Sequence, residues 1–269
     1  MAEHVTGGIA VGIAGGETDM SQLVLSLFPG IGLLDMAFEE EGFCVVRGPD
    51  LLWGGDIRHF HPPIGRFDGV IGGPPCQFFS AFKRLNPHAG RHGNLIPEFE
   101  RVVREAEPDW FLMENVPQAP VPLVSGYQEA KSVLVRDVTV GGCTTRLRRF
   151  TFGRRGNRAV FYVEELALHP AEPAQAVTSA GRLVPVKLVR DGNGGHKLKS
   201  SLMVHGGHDK PFNRPGISIE DMAELQGFPR ERLDELPFTM TGKRRVIGNA
   251  VPKAMGRAVA RAVKRAVGL

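Results

Sequence analysis

Apolar residues separated by glycine turns predict a series of buried strands and helices near the start of the chain. Residues 23–27 predict a first strand, and apolar positions through Phe38 predict a helix that ends at Gly42. Residues 43–46 then predict a second strand. A strand, a glycine turn, a helix and another strand are the usual opening of a nucleotide-binding α/β sheet. The pattern therefore favours an α/β fold in which a cofactor approaches the first turn.

Three later stretches also have the character of strands. Residues 70–71 are a short apolar run that Gly72-Gly-Pro-Pro75 ends abruptly. Residues 109–113 deliver Glu114 to the carboxyl end of a strand, where open α/β sheets place their sites. Residues 138–152 predict a further strand that contains several arginines.

Helices are predicted where first-turn signals precede an amphipathic segment. Residues 97–106 begin with a proline and acidic residues. Residues 217–229 have Ser218 as an N-cap, with Asp221 three residues later. Residues 252–267 again begin with a proline, and they predict a C-terminal helix.

Cys76 follows directly on the glycine and proline turn. A buried filler is the ordinary interpretation of a free cysteine, since this residue type is among the most buried. A filler does not require Gly72 and Gly73, which let a ligand or another backbone approach, or Pro74 and Pro75, which fix the direction of the thiol. The turn therefore favours a nucleophile.

The composition is that of an ordinary globular chain, with 269 residues, 42% hydrophobic and 23% charged. No apolar run approaches the 18 or so residues that would span a membrane, and residues 1–20 predict a loose tail without signal-peptide character. The three cysteines have no CxxC spacing, so we expect neither a zinc site nor disulfides. A reducing cytoplasm fits this pattern.

Charge is distributed unevenly along the chain. Residues 1–141 hold 10 Lys and Arg against 18 Asp and Glu, whereas residues 142–269 hold 23 against 11. Six arginines fall within residues 146–158. Solvated helix faces explain part of the excess of basic residues in the second half of the chain. The remaining excess suggests that this half faces a polyanion.

The segment Pro75-Cys-Gln-Phe-Phe-Ser80 resembles the Pro-Cys-Gln-x-Phe-Ser catalytic loop of the DNA cytosine-5 methyltransferases. The family's other motifs occur in the expected order, and the resemblance spans about residues 22–265. These motifs are Phe28-Pro-Gly-Ile-Gly32, Glu114-Asn-Val116, Arg146-Leu-Arg148, Leu225-Gln-Gly-Phe-Pro229 and Gly248-Asn-Ala-Val-Pro252.

The resemblance implies an α/β fold, the Rossmann-like sheet of the class I S-adenosylmethionine-dependent methyltransferases, with a smaller, irregular target-recognition domain. On this basis we expect a flexible tail over residues 1–20, a catalytic, cofactor-binding domain from residues 21–155 and 246–269, and a recognition domain over residues 156–245.

The resemblance also assigns catalytic residues. Cys76 would attack carbon 6 of the base, Glu114 would protonate ring nitrogen 3, Arg148 would hold the carbonyl oxygen, and Arg146 would brace the site. A loop carboxylate is the everyday alternative for Glu114. The family pattern Gln-x-Arg-x-Arg is incomplete here, because Thr144 stands where glutamine is usual.

The resemblance implies S-adenosyl-L-methionine as the cofactor. Asp50 matches the acid that binds the ribose, Asp56 the acid that binds the adenine amino group, and Ile57 the aliphatic residue that packs on the ring. A solvent-facing loop residue is the alternative for Asp56. The full set of expected cofactor contacts is Phe28, Gly30, Gly32, Asp50, Asp56, Ile57, Pro74, Leu95 and Asn249.

The resemblance predicts an enzyme that methylates carbon 5 of a flipped cytosine in double-stranded DNA, acting as a monomer without metal or membrane. A chain that ends soon after the last motif suggests a bacterial or phage source, a cytoplasmic location and a role in restriction–modification. Three alternatives stay open: the same chemistry on tRNA, a DNA-binding relative without catalysis, and a small-molecule methyltransferase, which would have no use for the basic half.

Overall fold

The computed structural model describes residues 21–75, 93–127, 131–156, 160–166, 186–190, 196–200 and 217–269. Its strands are β1 (Leu23–Leu27), β2 (Cys44–Arg47), β3 (Gly69–Gly72), β4 (Trp110–Asn115), β5 (Lys131–Arg136), β6 (Leu147–Arg154), β7 (Val186–Arg190) and β8 (His196–Ser200). Its helices are α1 (Leu33–Glu40), α2 (Ile96–Ala106), α3 (Ile219–Gln226), α4 (Met240–Asn249) and α5 (Lys253–Val267).

Six strands form one sheet in the order β2-β1-β3-β4-β6-β5. The first four of these are parallel, and β6 pairs antiparallel with both β4 and β5. The chain leaves β1 toward β2 on one side and later returns to β3 on the other. Such a reversal opens a crevice at the carboxyl ends of the strands, which is the usual ligand site of open α/β sheets.

The sheet is covered on both faces because its strand residues alternate between two hydrophobic clusters. Val24, Ile71 and Leu112 belong to the cluster that includes α5. The neighbouring residues Leu25, Val70 and Phe111 belong to the cluster that includes α2. The apolar strand segments predicted from the sequence are therefore covered by helices on both faces of the sheet.

Helices α1 and α5 approach each other closely. A Cβ atom at Gly256 of α5 would lie 2.7 Å from the Cβ of Ala37 of α1. A third cluster joins α1 to α3 and α4 through buried side chains that include Met36, Met222 and Ile247. The segment from residue 217 onward is thus anchored on the same helix that follows the first glycine turn.

Most predicted elements are confirmed with boundary shifts of one to three residues, including the N-cap of α3, where the Asp221 N–H donates to Ser218 Oγ at 2.9 Å. The predicted strand over residues 138–152 is wrong in its first half. Residues 137–140 form a 3₁₀ turn and β6 begins only at Leu147, because Asp137 accepts hydrogen bonds from the backbone and side chain of Thr144 and closes a local loop.

Strands β5, β7 and β8 and helix α4 were not predicted. Strand β5 lies at the edge of the sheet with Leu134 half exposed, so its apolar pattern is weak. Helix α4 contains two glycines and three consecutive basic residues, so its apolar residues do not recur at the spacing that predicts a helix.

Several sequence expectations fall outside the described residues, among them the tail over residues 1–20 and the loop with Cys76. Within the proposed recognition domain, the backbone of β7 and β8 forms an antiparallel pair, and the domain boundaries stay a prediction. In the part of the chain that the structure describes, no helix is long and apolar enough to cross a membrane, and no cluster of His, Cys, Asp or Glu could hold a metal ion.

Replacing Gly256 by Ala is expected to lower the free energy of unfolding. Overpacking costs about 1–3 kcal/mol, which outweighs the roughly 1 kcal/mol that Ala gains over Gly within a helix. Adding Ala37→Gly removes the opposing methyl group, so the double variant should be less destabilised than the sum of the single variants. Strict additivity in urea denaturation would contradict the close approach of α1 and α5.

Candidate active site

A cavity of about 390 Å³ opens at the carboxyl ends of β1, β3 and β4. One part of its wall is the glycine turn after β1 with the start of α1 and residues 50–52. The rest is the Gly-Pro-Pro turn after β3, the end of β4 with Arg148 of β6, and the C-terminal part of α4 with the two residues that follow it. This is the crevice that the strand order predicts. Its volume lies within the range of about 300–1,000 Å³ typical of small-molecule sites.

The glycine turn is held in an unusual backbone conformation. Phe28 has a φ of 56° and Gly30 a φ of 57°. Residues other than glycine rarely adopt a positive φ, so the conformation of Phe28 is unusual. Asp50 fixes this turn, because its Oδ2 accepts a hydrogen bond from the Gly30 N–H at 2.8 Å and its Oδ1 accepts one from the Leu52 N–H at 2.7 Å. The strain at Phe28 therefore lies on the wall of the cavity.

Asp35 was not predicted as a site residue, yet it lines the cavity and is fully buried. Its carboxylate accepts hydrogen bonds from Ser26 Oγ of β1 and from Arg47 Nε of β2, the latter at 2.9 Å. Burial raises the pKa of Asp35, against the lowering effect of both partners. The available signal was a single acid within the apolar run of α1.

Glu114 and Arg148 form an ion pair at the opposite wall. Glu114 Oε1 lies 2.9 Å from Arg148 Nε, and the two side chains are 12% and 16% exposed. Burial raises the pKa of Glu114, while the charges of Arg148 and Arg146 oppose this rise. The carboxyl group is therefore easier to protonate than an exposed glutamate.

The strand register explains why these two residues meet. Glu114 of β4 stands opposite Phe150 of β6, so Arg148, two residues away, points to the same face and is a diagonal neighbour of Glu114. Arg148 Nη1 donates to the Leu147 carbonyl at 2.8 Å, and its Nη2 makes no hydrogen bond with the residues that the structure describes. One edge of the guanidinium thus stays available.

The turn after β3 is tied to β4. Asn115 Nδ2 donates to the Pro74 carbonyl at 3.2 Å. A Cβ at Gly73 would lie 2.8 Å from Glu114 Oε2, and a Cβ at Gly72 would lie 2.8 Å from the Leu27 carbonyl. The two glycines therefore allow the close approach that the sequence suggested, and Pro74 and Pro75 both line the cavity.

Arg146 is buried and reaches the end of α4. Its Nη1 donates to the Gly248 carbonyl at 2.7 Å and its Nη2 to the Asn249 carbonyl at 3.2 Å, which satisfies carbonyls that a helix leaves unpaired at its C-terminus. Asn249 itself lines the cavity. Thr144 holds the preceding turn through Asp137.

The other described arginines of the 146–158 cluster also have partners within the protein. Arg149 donates to the Ala119 carbonyl, Arg154 to the Ala266 carbonyl, and Arg155 pairs with Glu107. These contacts position the arginine side chains, and the polyanion that their density suggested stays a prediction.

The cavity brings together seven of the predicted site residues: Phe28, Gly30, Asp50, Pro74, Glu114, Arg148 and Asn249. Among the described residues, Gly32, Asp56, Ile57, Leu95 and Arg146 are not part of its lining. Cys76 lies outside the described residues, directly after Pro75 in sequence.

The residues outside the lining have clear structural contacts. Gly32 has a φ of 79° and caps α1, where a side chain would collide with the Arg47 guanidinium. Asp56 caps the 3₁₀ turn Ile57–His59, and hydrogen bonds from Arg58 lower its pKa. Ile57 and Leu95 are buried in the cluster that includes α2. The cofactor role expected of these residues stays a prediction.

Known proteins resemble this chain in both sequence and fold. A sequence model of the C-5 cytosine-specific DNA methylase family matches residues 54–121. The type II methyltransferase M.HgiGI of Herpetosiphon aurantiacus is 32% identical over 116 residues, which cover 35% of this chain and 90% of that relative. The chain belongs to the C-5 cytosine-specific DNA methylase family.

Longer members of this methylase family match over a smaller share of their length. The type II methyltransferase M.FnuDI of Fusobacterium nucleatum is 34% identical over 109 residues, which cover 35% of this chain and 32% of that protein. The chain thus spans about a third of the length of curated relatives such as M.FnuDI.

The solved structure of the Entamoeba histolytica methyltransferase EhMeth covers 91% of this chain and 98% of its own, with a TM-score of 0.59 and 12% identity. This likeness concerns the fold alone. It confirms the prediction that the sheet has the fold of the class I S-adenosylmethionine-dependent methyltransferases.

Replacing Arg148 by Met is expected to raise the pKa of Glu114 further, because the charge of Arg148 is the largest influence that lowers it. Carbon-13 NMR titration of the glutamate carboxyl groups would measure the change, with Glu114→Gln to identify the signal. Arg104→Met removes an exposed arginine of α2 and should leave the titration unchanged. An unaltered Glu114 midpoint in the Arg148 variant would contradict the ion pair.

Proposed function

We propose that this methylase chain transfers a methyl group from S-adenosyl-L-methionine to carbon 5 of a cytosine in double-stranded DNA. The observation that supports this most is the buried pair of Glu114 and Arg148 at the end of β4, on the wall of the cavity. A carboxyl group that protonates readily, beside a guanidinium with a free edge, matches the pattern of acceptors and donors on a cytosine ring. Membership of the family gives the reaction class.

The cavity fits the cofactor. Its volume is suitable, its first wall is a glycine turn that brings backbone close, and Asp50 supplies a carboxylate beside that turn. Phe28, Gly30, Asp50, Pro74 and Asn249 would hold the cofactor, and Asp50 would accept from the ribose hydroxyls. When bound, S-adenosylmethionine supplies an electrophilic methyl group.

Cytosine carbon 5 is a poor nucleophile until the aromatic ring is disrupted. We propose that the Cys76 thiolate adds to carbon 6, which gives carbon 5 enamine character. Carbon 5 would then take the methyl group, with S-adenosylhomocysteine as the leaving group, and lose its proton to a base. Breakage of the carbon–sulfur bond would release the Cys76 thiolate and restore the ring. A covalent bond to the enzyme divides one difficult step into easier ones.

Glu114 would supply the proton at ring nitrogen 3 that balances the charge introduced by thiolate attack. Its pKa is raised by burial, so it can hold this proton at a pH where an exposed glutamate could not. Arg148 would donate from Nη2 to the carbonyl oxygen of the base while its Nε keeps Glu114 in place. Since a stacked base cannot reach these groups, the cytosine would be flipped out of the duplex.

Arg146 would act by positioning. By holding the carbonyls of Gly248 and Asn249, it links the strand that bears Arg148 to the helix end that lines the cavity. The base site and the cofactor site would therefore keep a fixed separation, which transfer of a methyl group between two bound molecules requires.

The decisive experiment is transfer of a labelled methyl group from S-adenosylmethionine to duplex DNA. We expect label on carbon 5 of cytosine with the wild-type chain, none with Cys76→Ala, and a loss of about 10²–10⁴-fold with Glu114→Gln because the proton donor is removed. Cys44 and Cys143 are exposed free thiols, so Cys44→Ala and Cys143→Ala are matched controls that should keep full activity.

Unlabelled tRNA added in excess tests whether DNA or tRNA is the preferred substrate. Label that moves from DNA to the tRNA would contradict DNA as the substrate, and label retained by Cys76→Ala would contradict the nucleophile.

A further inference from the structure

Arg245 is a charged residue of the cavity wall that neither the sequence motifs nor the proposed reaction uses. It lies on α4, four residues before Asn249, and both residues line the cavity. Within the described residues Arg245 makes no hydrogen bond and no ion pair, in contrast to its neighbours on α4. Lys243 donates to the Leu233 carbonyl, and Arg244 donates to the Ile217 carbonyl.

The other charged groups of the cavity already have partners. Asp35 pairs with Arg47, Glu114 pairs with Arg148, and Asp50 accepts from two backbone N–H groups. Among the described lining residues, Arg245 therefore presents a positive charge that no protein group neutralises. A bound molecule with an anionic group on that side would complement it.

The identity of the anion follows from the proposed function, and the inference rests on that function. With the ribose at Asp50 and the methyl group directed toward the turn that leads to Cys76, the cofactor's amino-acid arm would lie between the glycine turn and the α4 wall. Arg245 is the cationic lining residue there without a protein partner among the described residues. That arm ends in an ammonium and a carboxylate. We propose that Arg245 binds the α-carboxylate of the methionine part of S-adenosylmethionine.

The chemistry favours this pairing. A guanidinium and a carboxylate form short, charge-assisted hydrogen bonds that are stronger than neutral ones. The pair would also fix the arm that leads to the sulfur atom, so Arg245 would contribute to the orientation of the reactive methyl group. Adenosine derivatives without the amino-acid arm would gain nothing from Arg245.

The test compares two ligands by titration calorimetry on the full chain. S-Adenosylhomocysteine retains the amino-acid arm, whereas 5′-methylthioadenosine has a methyl group on sulfur in its place. We expect Arg245→Gln to lower the affinity for S-adenosylhomocysteine by about tenfold, as for the loss of a charged hydrogen bond. The affinity for 5′-methylthioadenosine should change by less than about twofold, because this ligand makes no such bond. Arg104→Gln removes another exposed arginine, on α2, and should change neither affinity.

The outcomes separate the inference from the function on which it rests. If Arg245→Gln weakens both ligands equally, or weakens only binding to duplex DNA, the assignment to the carboxylate is overturned. If the wild-type chain binds neither ligand, the proposed cofactor itself is wrong. Arg245→Lys guards against a folding defect, because it should retain part of the preference for S-adenosylhomocysteine and melt as the wild type does.

Discussion

The antiparallel pairing of β6 with β4 is the constraint on which the candidate site depends. It brings Arg148 diagonally across from Glu114 and so allows a carboxyl group to be buried at a strand end. An unpaired buried charge is costly, and the guanidinium offsets that cost without removing it, so the pKa of Glu114 is still raised. The same strand is preceded by Arg146, which holds the end of α4. One strand therefore links the Glu114–Arg148 pair to the end of α4.

The opposite wall depends on two carboxylates, Asp50 and Asp35, that accept hydrogen bonds from backbone and side-chain groups of the protein. Asp50 fixes the strained turn at Phe28 and Gly30, and Asp35 joins β1 and β2 beneath it. These contacts keep the crevice open where parallel strands separate. Rigid support on both sides is what a transfer between two bound molecules needs, because small displacements of either partner slow the reaction.

The sequence predicted local features well and long-range partners poorly. Buried strands such as β3 and the N-cap of α3 follow from residues close together in the chain, and both are confirmed. The partner of Arg148 depends on strand register over more than 30 residues, which no local pattern encodes. For the same reason the contacts of the arginine cluster with protein carbonyls and carboxylates could not be predicted. The sequence around Arg245 contains only two basic neighbours, which do not distinguish it as a residue of the cavity.

The most direct test of the account uses duplex DNA whose cytosines carry fluorine at carbon 5. Thiolate attack and methyl transfer can still occur on such a base, but the final step requires loss of a proton that fluorine replaces, so the enzyme should stay bound to the DNA. We predict that, in the presence of S-adenosylmethionine, mass spectrometry will find the methylated base attached to the tryptic peptide of residues 67–83, through Cys76. Attachment through another residue, or efficient methylation of ordinary DNA without any trapped complex, would contradict the account.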